Sequence, residues 1–370
     1  MTFTPTLTVY VALRFLAATS LMVLSLTGLV ALFDFIELLR RAANRGDVGF
    51  GIAAEIAGMR LPFVAMQILP FGILLGGIVA FWRLTRSSEL IVARAAGVSA
   101  WGFLLGPLAV AFLLGAAATA GLSPLSSALL ARAERLDQAY LRTGGGFSTL
   151  AGGRLWLRQA DRELDPRGVA IIAGRPLARG VAGFELHDVS IWRLSGDDRP
   201  LARIEAPRAR LTPGTWGLDG AVSFGRDRGG TPPAAITLPT ELTPERIQNS
   251  FASPETLSFW SLPEFIEVLE GAGFSAVRHR IQFQSLLALP SLALVMALLA
   301  AGFSMRSSRR GGVTQMIGAG VAAGFALFVL ARVSNEFGEA GTLPVVLAAW
   351  APTVAGMLLA LALLLHLEEG

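Results

Sequence analysis

Six long apolar runs constrain the fold of this chain more than any other feature of its sequence. They lie at residues 11–33, 61–82, 101–122, 281–303, 313–333 and 343–367. Each is long enough to cross a hydrocarbon layer of ~30 Å as a helix that rises ~1.5 Å per residue. A hydrophobic fraction of 53% with only 16% charged residues agrees with lipid as the solvent. The sequence predicts a polytopic α-helical membrane protein with three spans, an insertion and three further spans.

The arginines of the short loops predict the orientation of these spans. Residues 83–100 carry Arg83, Arg86 and Arg94 against one acid, and residues 305–312 carry three arginines and no acid. Because positively charged loops stay in the cytoplasm, both loops are expected there. Both termini are then cytoplasmic as well. The long segment between the third and fourth spans is expected in the periplasm of a bacterium with two membranes.

The segment between the two groups of spans has the pattern of a β-domain. Short alternating runs, rich in β-branched and aromatic residues and separated by Gly, Pro and Asp, lie at residues 153–159, 169–173, 184–194, 202–211 and 216–224. This pattern predicts an antiparallel all-β sandwich or barrel. Apolar residues at helical spacing within 261–271 then predict a short amphipathic helix at the membrane surface. We expect domains at residues 1–122, 123–257, 258–280 and 281–370.

The composition excludes several classes of function. The chain has no cysteine, so it forms no disulfide and no thiolate metal site, and all 31 basic residues are arginine. A nucleotide-binding P-loop needs a lysine and is therefore excluded. The three histidines lie far apart in the sequence, and the arginines are scattered among 27 acids rather than gathered into a stripe. We expect no catalytic residues, no metal or other cofactor and no nucleic-acid partner.

Two charged clusters are candidate functional sites. Arg40 and Arg41 follow the outer end of the first span, where guanidinium groups suit bidentate contacts with lipid phosphates. Anchoring of the helix at the interface is the simpler alternative. Residues 83–100 place several apolar side chains on one helical face, with Glu89 in the first turn, as a helix that docks on a partner would. An ordinary positively charged loop with a solvated acid explains the spacing equally well.

Three stretches of the sequence carry a family resemblance. They read DFIELLRRA after the first span, LPFGILLGGIVAFWRLTRSSELIVARAAGVS from the second span into its loop, and SFWSLPEFIEVLEGAGFSAVRHR before the fourth span. They resemble the lipopolysaccharide-export permeases LptF and LptG. The resemblance runs nearly end to end. The ELLRR and FASPETLSFWSLPEFI stretches are more similar to LptG than to its paralogue LptF.

This resemblance implies the architecture and the partners of the chain. It implies a permease subunit that pairs with LptF, recruits a dimer of the cytoplasmic ATPase LptB and extracts lipopolysaccharide from the inner membrane. The inserted domain is then a periplasmic β-jellyroll that lies beside the bridge protein LptC. The segment 83–100 becomes a coupling helix in which Glu89 occupies the family's acidic position, with Arg86 and Arg94 beside it.

The resemblance also implies a lipid-binding role for four arginines. Arg40 and Arg41 match basic residues of the family that contact the headgroup phosphates of lipopolysaccharide, and Arg132 and Arg135 are expected to add to the same collar of charge. This chain has arginine where family members often have lysine, which keeps the charge and changes the contact geometry.

Two other functions stay open on the residues alone. The chain could be a membrane anchor whose β-domain scaffolds envelope proteins without transport, in which case no ATPase accompanies it. A lipoprotein-moving permease also depends on an ATPase, but it usually has fewer spans and a different placement of its soluble domain.

Overall fold

The chain folds into two compact units. The computed structural model describes residues 5–43, 49–87, 89, 100–141, 148–151, 154–161, 163–176, 184–197, 199–225, 230–243, 247, 253–271, 274–304 and 313–368. The helical unit comprises Met1–Leu141, Glu255–Leu262 and Val277–Gly370, and the β-unit comprises Arg142–Pro254 and Pro263–Ala276. The chain therefore leaves the helical unit twice, after Leu141 and after Leu262, and returns to it each time.

The helical unit contains the predicted spans. Its elements are α1 (Pro5–Ala43), α2 (Phe50–Arg86), α3 (Ala100–Ala117), a π-helical turn (Ala118–Leu122), α4 (Ser123–Leu136), a second π-helical turn (Asp137–Leu141), a 3-10 turn (Pro254–Thr256, whose first residue falls in the β-unit), α6 (Val277–Ser304), α7 (Val313–Glu339) and α8 (Val345–Glu368). Within the described residues, six continuous helices are long and apolar enough to cross a membrane. Three precede the β-unit and three follow it, which confirms the predicted 3+3 architecture.

Several helices extend beyond the apolar runs that predicted them. Helix α1 has 39 residues, which is about 58 Å at 1.5 Å per residue and nearly twice the hydrocarbon thickness. The third helix is continuous over Gly102–Leu141. The predicted boundary of the β-domain at Ser123 is therefore corrected, because the first described strand begins only at Ser148. Residues 258–280 are also divided, since helix α5 (Leu262–Gly271) ends well before α6 begins at Val277.

The extensions of α1, α2 and α4 pack against each other, which explains why polar segments stay helical. Their contact surface is a small apolar core separate from that of the spans; its buried members are Leu38, Ala42, Ala53, Ile56, Ala133 and Leu141. Burial of this core stabilises the extensions as helices. Their exposed faces are charged, which is not typical of membrane spans. They form a three-helix extension at the end of the helical unit from which the chain enters the β-unit.

Small residues let the spans approach each other closely. A Cβ atom built on Gly76 of α2 would lie 2.5 Å from Thr19 Cα of α1, and one built on Gly115 of α3 would lie 2.6 Å from Pro290 Cα of α6. Both neighbours are backbone atoms, which cannot move away as a flexible side chain does. Glycine is therefore required at both crossings, as is common where membrane helices pack by close backbone contact.

The β-unit contains a single antiparallel sheet of seven described strands and all of helix α5 after Leu262. They are β1 (Ser148–Ala151), β2 (Arg154–Ala160), β3 (Val169–Pro176), β4 (Phe184–Leu194), β5 (Pro200–Thr212), β6 (Thr215–Phe224) and β7 (Ala234–Pro239). Each strand pairs with the next in the chain. The predicted inserted all-β domain is confirmed, with β1 and β7 as additional strands.

The sheet curls around its own core. Its buried residues alternate along the strands and include Leu155, Leu157, Ile172, Ile191, Ile204, Trp216, Leu218 and Leu238. Gln159 of β2 donates to the Pro239 carbonyl oxygen at 3.0 Å and accepts a hydrogen bond from the Thr240 hydroxyl at 2.6 Å. Since Pro239 ends β7, the first strands approach the last one, and the sheet encloses an apolar interior.

Charged side chains fasten the turns at one end of this sheet. Arg193 of β4 donates to both Asp161 and Glu163, which lie just beyond β2. Burial lowers the pKa of Arg193, but the hydrogen bonds and charges of the two carboxylates outweigh this effect and raise it, so the guanidinium stays charged. Asp165 accepts from the backbone N–H groups of Arg167 and Gly196, which hold the pKa of its carboxyl below the ordinary value.

A charged collar on the three-helix extension

Glu37 holds both of the arginines that were predicted to bind phosphate. Arg40 donates from Nε to Glu37 Oε2 at 2.8 Å and from Nη2 to Oε1 at 2.9 Å, and Arg41 Nε donates to the same Oε1 at 3.0 Å. The three residues share one face of α1 because positions three and four residues apart are neighbours on a helix. The Arg40 side chain is nevertheless 72% exposed. One carboxylate therefore aligns two accessible guanidinium groups.

A second ion cluster joins all three helices of the extension. Arg60 of α2 donates from Nη1 to Asp34 of α1 at 3.1 Å, and its Nη2 lies 3.9 Å from Oδ2 of Asp137 in the second π-helical turn. The Asp137 side chain is only 2% exposed and that of Arg60 19%. A buried charge is stable only when it is paired. Arg60 therefore fixes the C-terminal part of α1 relative to the other two helices.

The remaining predicted arginines lie on α4. Arg132 Nη2 lies 3.4 Å from Oε1 of Glu55 on α2, and both side chains are well exposed. Arg135 is exposed one turn later, and within the described part of the chain no carboxylate forms an ion pair with it. The structure thus places Arg132 against α2, whereas Arg40 and Arg41 are held within α1.

We call this set of charges the collar. It consists of Asp34, Glu37, Arg40, Arg41, Glu55, Arg60, Arg132 and Asp137. Four guanidinium groups face four carboxylates, so these members balance each other. An anionic ligand that makes the same bidentate contacts with these arginines would take the place of a carboxylate. Glu37 is the candidate for replacement, since it holds two guanidinium groups and the bidentate geometry that suits its carboxylate also suits a phosphate.

Arg60, Glu37 and Asp137 were not among the predicted site residues. Glu37 and Arg41 lie at helical spacing in the sequence, but the apolar run that predicts the first span ends at residue 33, so no helix was predicted over them. Nothing local in the sequence links Arg60 to Asp137, because the pair depends on the packing of α2 against the third helix.

The predicted coupling segment is described only at its beginning. Arg86 ends α2 and stacks over the Trp82 ring, with its Cζ 5.4 Å from the ring centroid. The Ser87 hydroxyl donates to Glu89 Oε1 at 2.9 Å. Arg94 and the rest of the segment 90–99 lie outside the described residues, so the predicted docking helix stays a prediction.

The comparison with known proteins covers almost the whole chain. A family model described as lipopolysaccharide export system permease LptF/LptG matches residues 9–366. The lipopolysaccharide export system permease protein LptG of Escherichia coli (strain K12) is 23% identical over 357 residues, which are 94% of each chain. The protein of the same name from Haemophilus influenzae is 22% identical over 354 residues, 94% of this chain and 95% of its own. These similarities confirm the resemblance found in the sequence, including its closer likeness to LptG.

Proposed function

Because the chain belongs to the LptF/LptG family of lipopolysaccharide export permeases, we propose that it is the LptG-type half of an ATP-driven exporter that extracts lipopolysaccharide from the inner membrane. It is a multi-pass inner-membrane protein with a separate antiparallel β-unit. In the proposed assembly, the β-unit lies in the periplasm, both termini lie in the cytoplasm, and ATP is hydrolysed by a partner.

The proposed partners are the paralogue LptF, a dimer of the ATPase LptB and the bridge protein LptC. Large apolar side chains on the two least buried spans support a membrane partner: Leu21 and Leu24 of α1 and Phe325 and Phe328 of α7 are each more than 60% exposed. Such faces contact either lipid chains or another helical subunit. A cavity between this chain and its paralogue, lined by these faces, would accept the acyl chains.

Arg40 and Arg41 are proposed to bind the headgroup phosphates, and the observation that supports this role is their common carboxylate partner. Glu37 aligns both guanidinium groups toward one acceptor while leaving them accessible. A phosphate of the lipid displaces Glu37 on binding, and Glu37 regains the arginines when the lipid leaves. Arg132 and Arg135 add positive charge on α4. Binding thus exchanges one set of charge-assisted hydrogen bonds for another, which keeps release possible.

The segment 83–100 is proposed to transmit closure of the ATPase dimer to the spans. Replacing Glu89 with Ala should reduce copurification or lipid-stimulated activity of the ATPase by about tenfold, the loss expected for a central interface residue. Membrane insertion should be unchanged. Pulldown of the ATPase from detergent extracts measures the effect. Glu339→Ala, an exposed acid at the end of α7, is the control, and equal recovery from both variants would contradict the docking role.

The transport function is tested by reconstitution. Vesicles that contain this chain, its paralogue, the bridge protein and the ATPase are loaded with labelled lipopolysaccharide, and its transfer to a soluble periplasmic acceptor is followed. Transfer is expected only with hydrolysable ATP. A scaffold protein would retain the bridge protein in these vesicles but show no ATP-dependent transfer.

A further inference from the structure

The third helix contains a π-helical turn at the point where it leaves the spans. Ser123 donates its backbone N–H to the carbonyl oxygen of Ala118, five residues earlier, rather than to that of Thr119. Such a wide turn interrupts the regular ladder of helix hydrogen bonds, and π-turns are often found at functional positions. Partners from other segments of the helical unit satisfy the polar groups of this turn.

The connector, defined as residues 255–262, supplies two of those partners. The indole Nε1 of Trp260 donates to the Ala120 carbonyl oxygen at 3.0 Å, and the backbone N–H of Phe259 donates to Ser123 Oγ at 3.0 Å. The Phe259 ring also stacks on Phe283 of α6, with ring centroids 5.2 Å apart and planes inclined by 13°. The connector is thereby fastened to both the third and the fourth spans.

The fourth span supplies another partner, and its own sequence explains why. Pro290 of α6 has no N–H, so the carbonyl oxygen of Leu286, four residues earlier, lacks its usual helix donor. The Thr119 hydroxyl of the π-turn donates to that oxygen at 2.8 Å in a buried site. An orphan acceptor inside a membrane helix is thus satisfied by a neighbouring helix. This hydrogen bond holds the π-turn against α6 at Leu286.

The connectivity of the chain gives these contacts their significance. The third helix continues to Leu141, where the β-unit begins. The connector is joined at both of its ends to segments of the β-unit, which comprise Arg142–Pro254 and Pro263–Ala276. The hydrogen bonds to Ala120 and Ser123 therefore fasten to the third helix a segment that leads into the β-unit in both chain directions. The sequence FASPETLSFWSLPEFI, which carries part of the family resemblance, contains the connector side of this junction.

We infer that Trp260 and Ser123 are positioning residues that latch the connector to the π-turn, so that movement of the third span is transmitted to the chain entering and leaving the β-unit. The latch is the pair of hydrogen bonds Trp260 to Ala120 and Phe259 to Ser123. The role of the latch in transport rests on the proposed function, whereas its role in positioning the connector does not.

The test combines Ser123→Ala with Trp260→Phe, which removes one partner from each hydrogen bond and keeps an aromatic ring at position 260. Since the chain has no cysteine, spin labels are placed on introduced cysteines at Gly121 of the π-turn and Glu255 of the connector. A Cβ at Gly121 meets no atom within 4 Å. Trp350→Phe, which removes the indole bond to Gln284 between α8 and α6, is the matched control.

The latched protein is expected to give one narrow distance between the labels, as does the Trp350→Phe control. The double variant is expected to give a broad distribution and to release lipopolysaccharide at least about fivefold more slowly, the factor for one lost hydrogen bond, while its complex still hydrolyses ATP. An unchanged distance distribution overturns the inference, as does a loss of release that follows an equal loss of ATP hydrolysis. If the double variant does not assemble, Trp260→Phe alone is measured in the same way. Absence of release by the unsubstituted complex counts against the proposed function. In that case the label-to-label distances alone test whether the latch positions the connector.

Discussion

Replacing Gly76 with Ala is expected to destabilise the helical unit by about 1–3 kcal/mol, the usual cost of an overpacked contact. The added methyl group would lie 2.5 Å from Thr19 Cα, 2.9 Å from Thr19 N and 3.0 Å from the Ala18 carbonyl oxygen. All three are backbone atoms of α1, so α1 and α2 must separate. The midpoint temperature of the detergent-solubilised protein, followed by fluorescence-detected gel filtration, measures the loss.

Gly58→Ala is the matched control for this experiment. Gly58 lies on the same helix, and a Cβ built there meets no atom within 4 Å. Both substitutions raise helix propensity equally, so only the contact with α1 differs between them. Equal thermal stability of the two variants would contradict the close crossing of α1 and α2.

Reversing the charge of both Arg40 and Arg41 to Glu is expected to reduce binding of lipopolysaccharide at the collar by at least about tenfold, since charge-assisted contacts become repulsive. Replacing Glu37 with Gln should have the opposite effect. It removes the charge that competes with phosphate for both arginines, so bound lipid should increase and ATP-driven release should slow. Photocrosslinking from position 36, where the Ile36 side chain is 52% exposed one turn before Arg40, measures lipid at the collar.

Arg278→Glu is the control for the collar variants. Its side chain is 51% exposed, and it pairs with Glu339 rather than with a member of the collar. If Arg278→Glu lowered crosslinking as much as the double variant, the change in the protein's net charge would explain the effect, and loss of contacts at the collar would not. Unchanged crosslinking in the double variant would return Arg40 and Arg41 to the role of interface anchors.

The sequence predicted the spans well because long apolar runs have few alternatives in lipid. It did not predict the three-helix extension, since residues 34–43, 50–60 and 123–141 mix charges with apolar positions and stay helical only through mutual packing. The β-unit was recognised from its central strands. The short strands β1 and β7 lacked a sufficiently long alternating pattern to be assigned.

The candidate site shows the same division between local and long-range information. Arg40 and Arg41 were identified from their place after the first span, and the family resemblance implied lipid binding for them and for Arg132. The structure adds that carboxylates already hold all three. Arg60 and its contacts with Asp34 and Asp137 join positions 26 and 77 residues apart. Side-chain pairs of this kind arise from the packing of helices, which no local pattern in one sequence specifies.

The central claim is that this chain works as half of a lipopolysaccharide exporter. Affinity purification of the tagged protein from native membranes in mild detergent, with identification of copurifying proteins and an ATPase assay with and without lipopolysaccharide, tests it most directly. We predict that a paralogous six-span protein and a soluble ATPase copurify, and that lipopolysaccharide changes the rate of ATP hydrolysis. Recovery of the chain alone, or with envelope proteins and no ATPase, under conditions that preserve a known transporter complex, would contradict the claim and favour a scaffold.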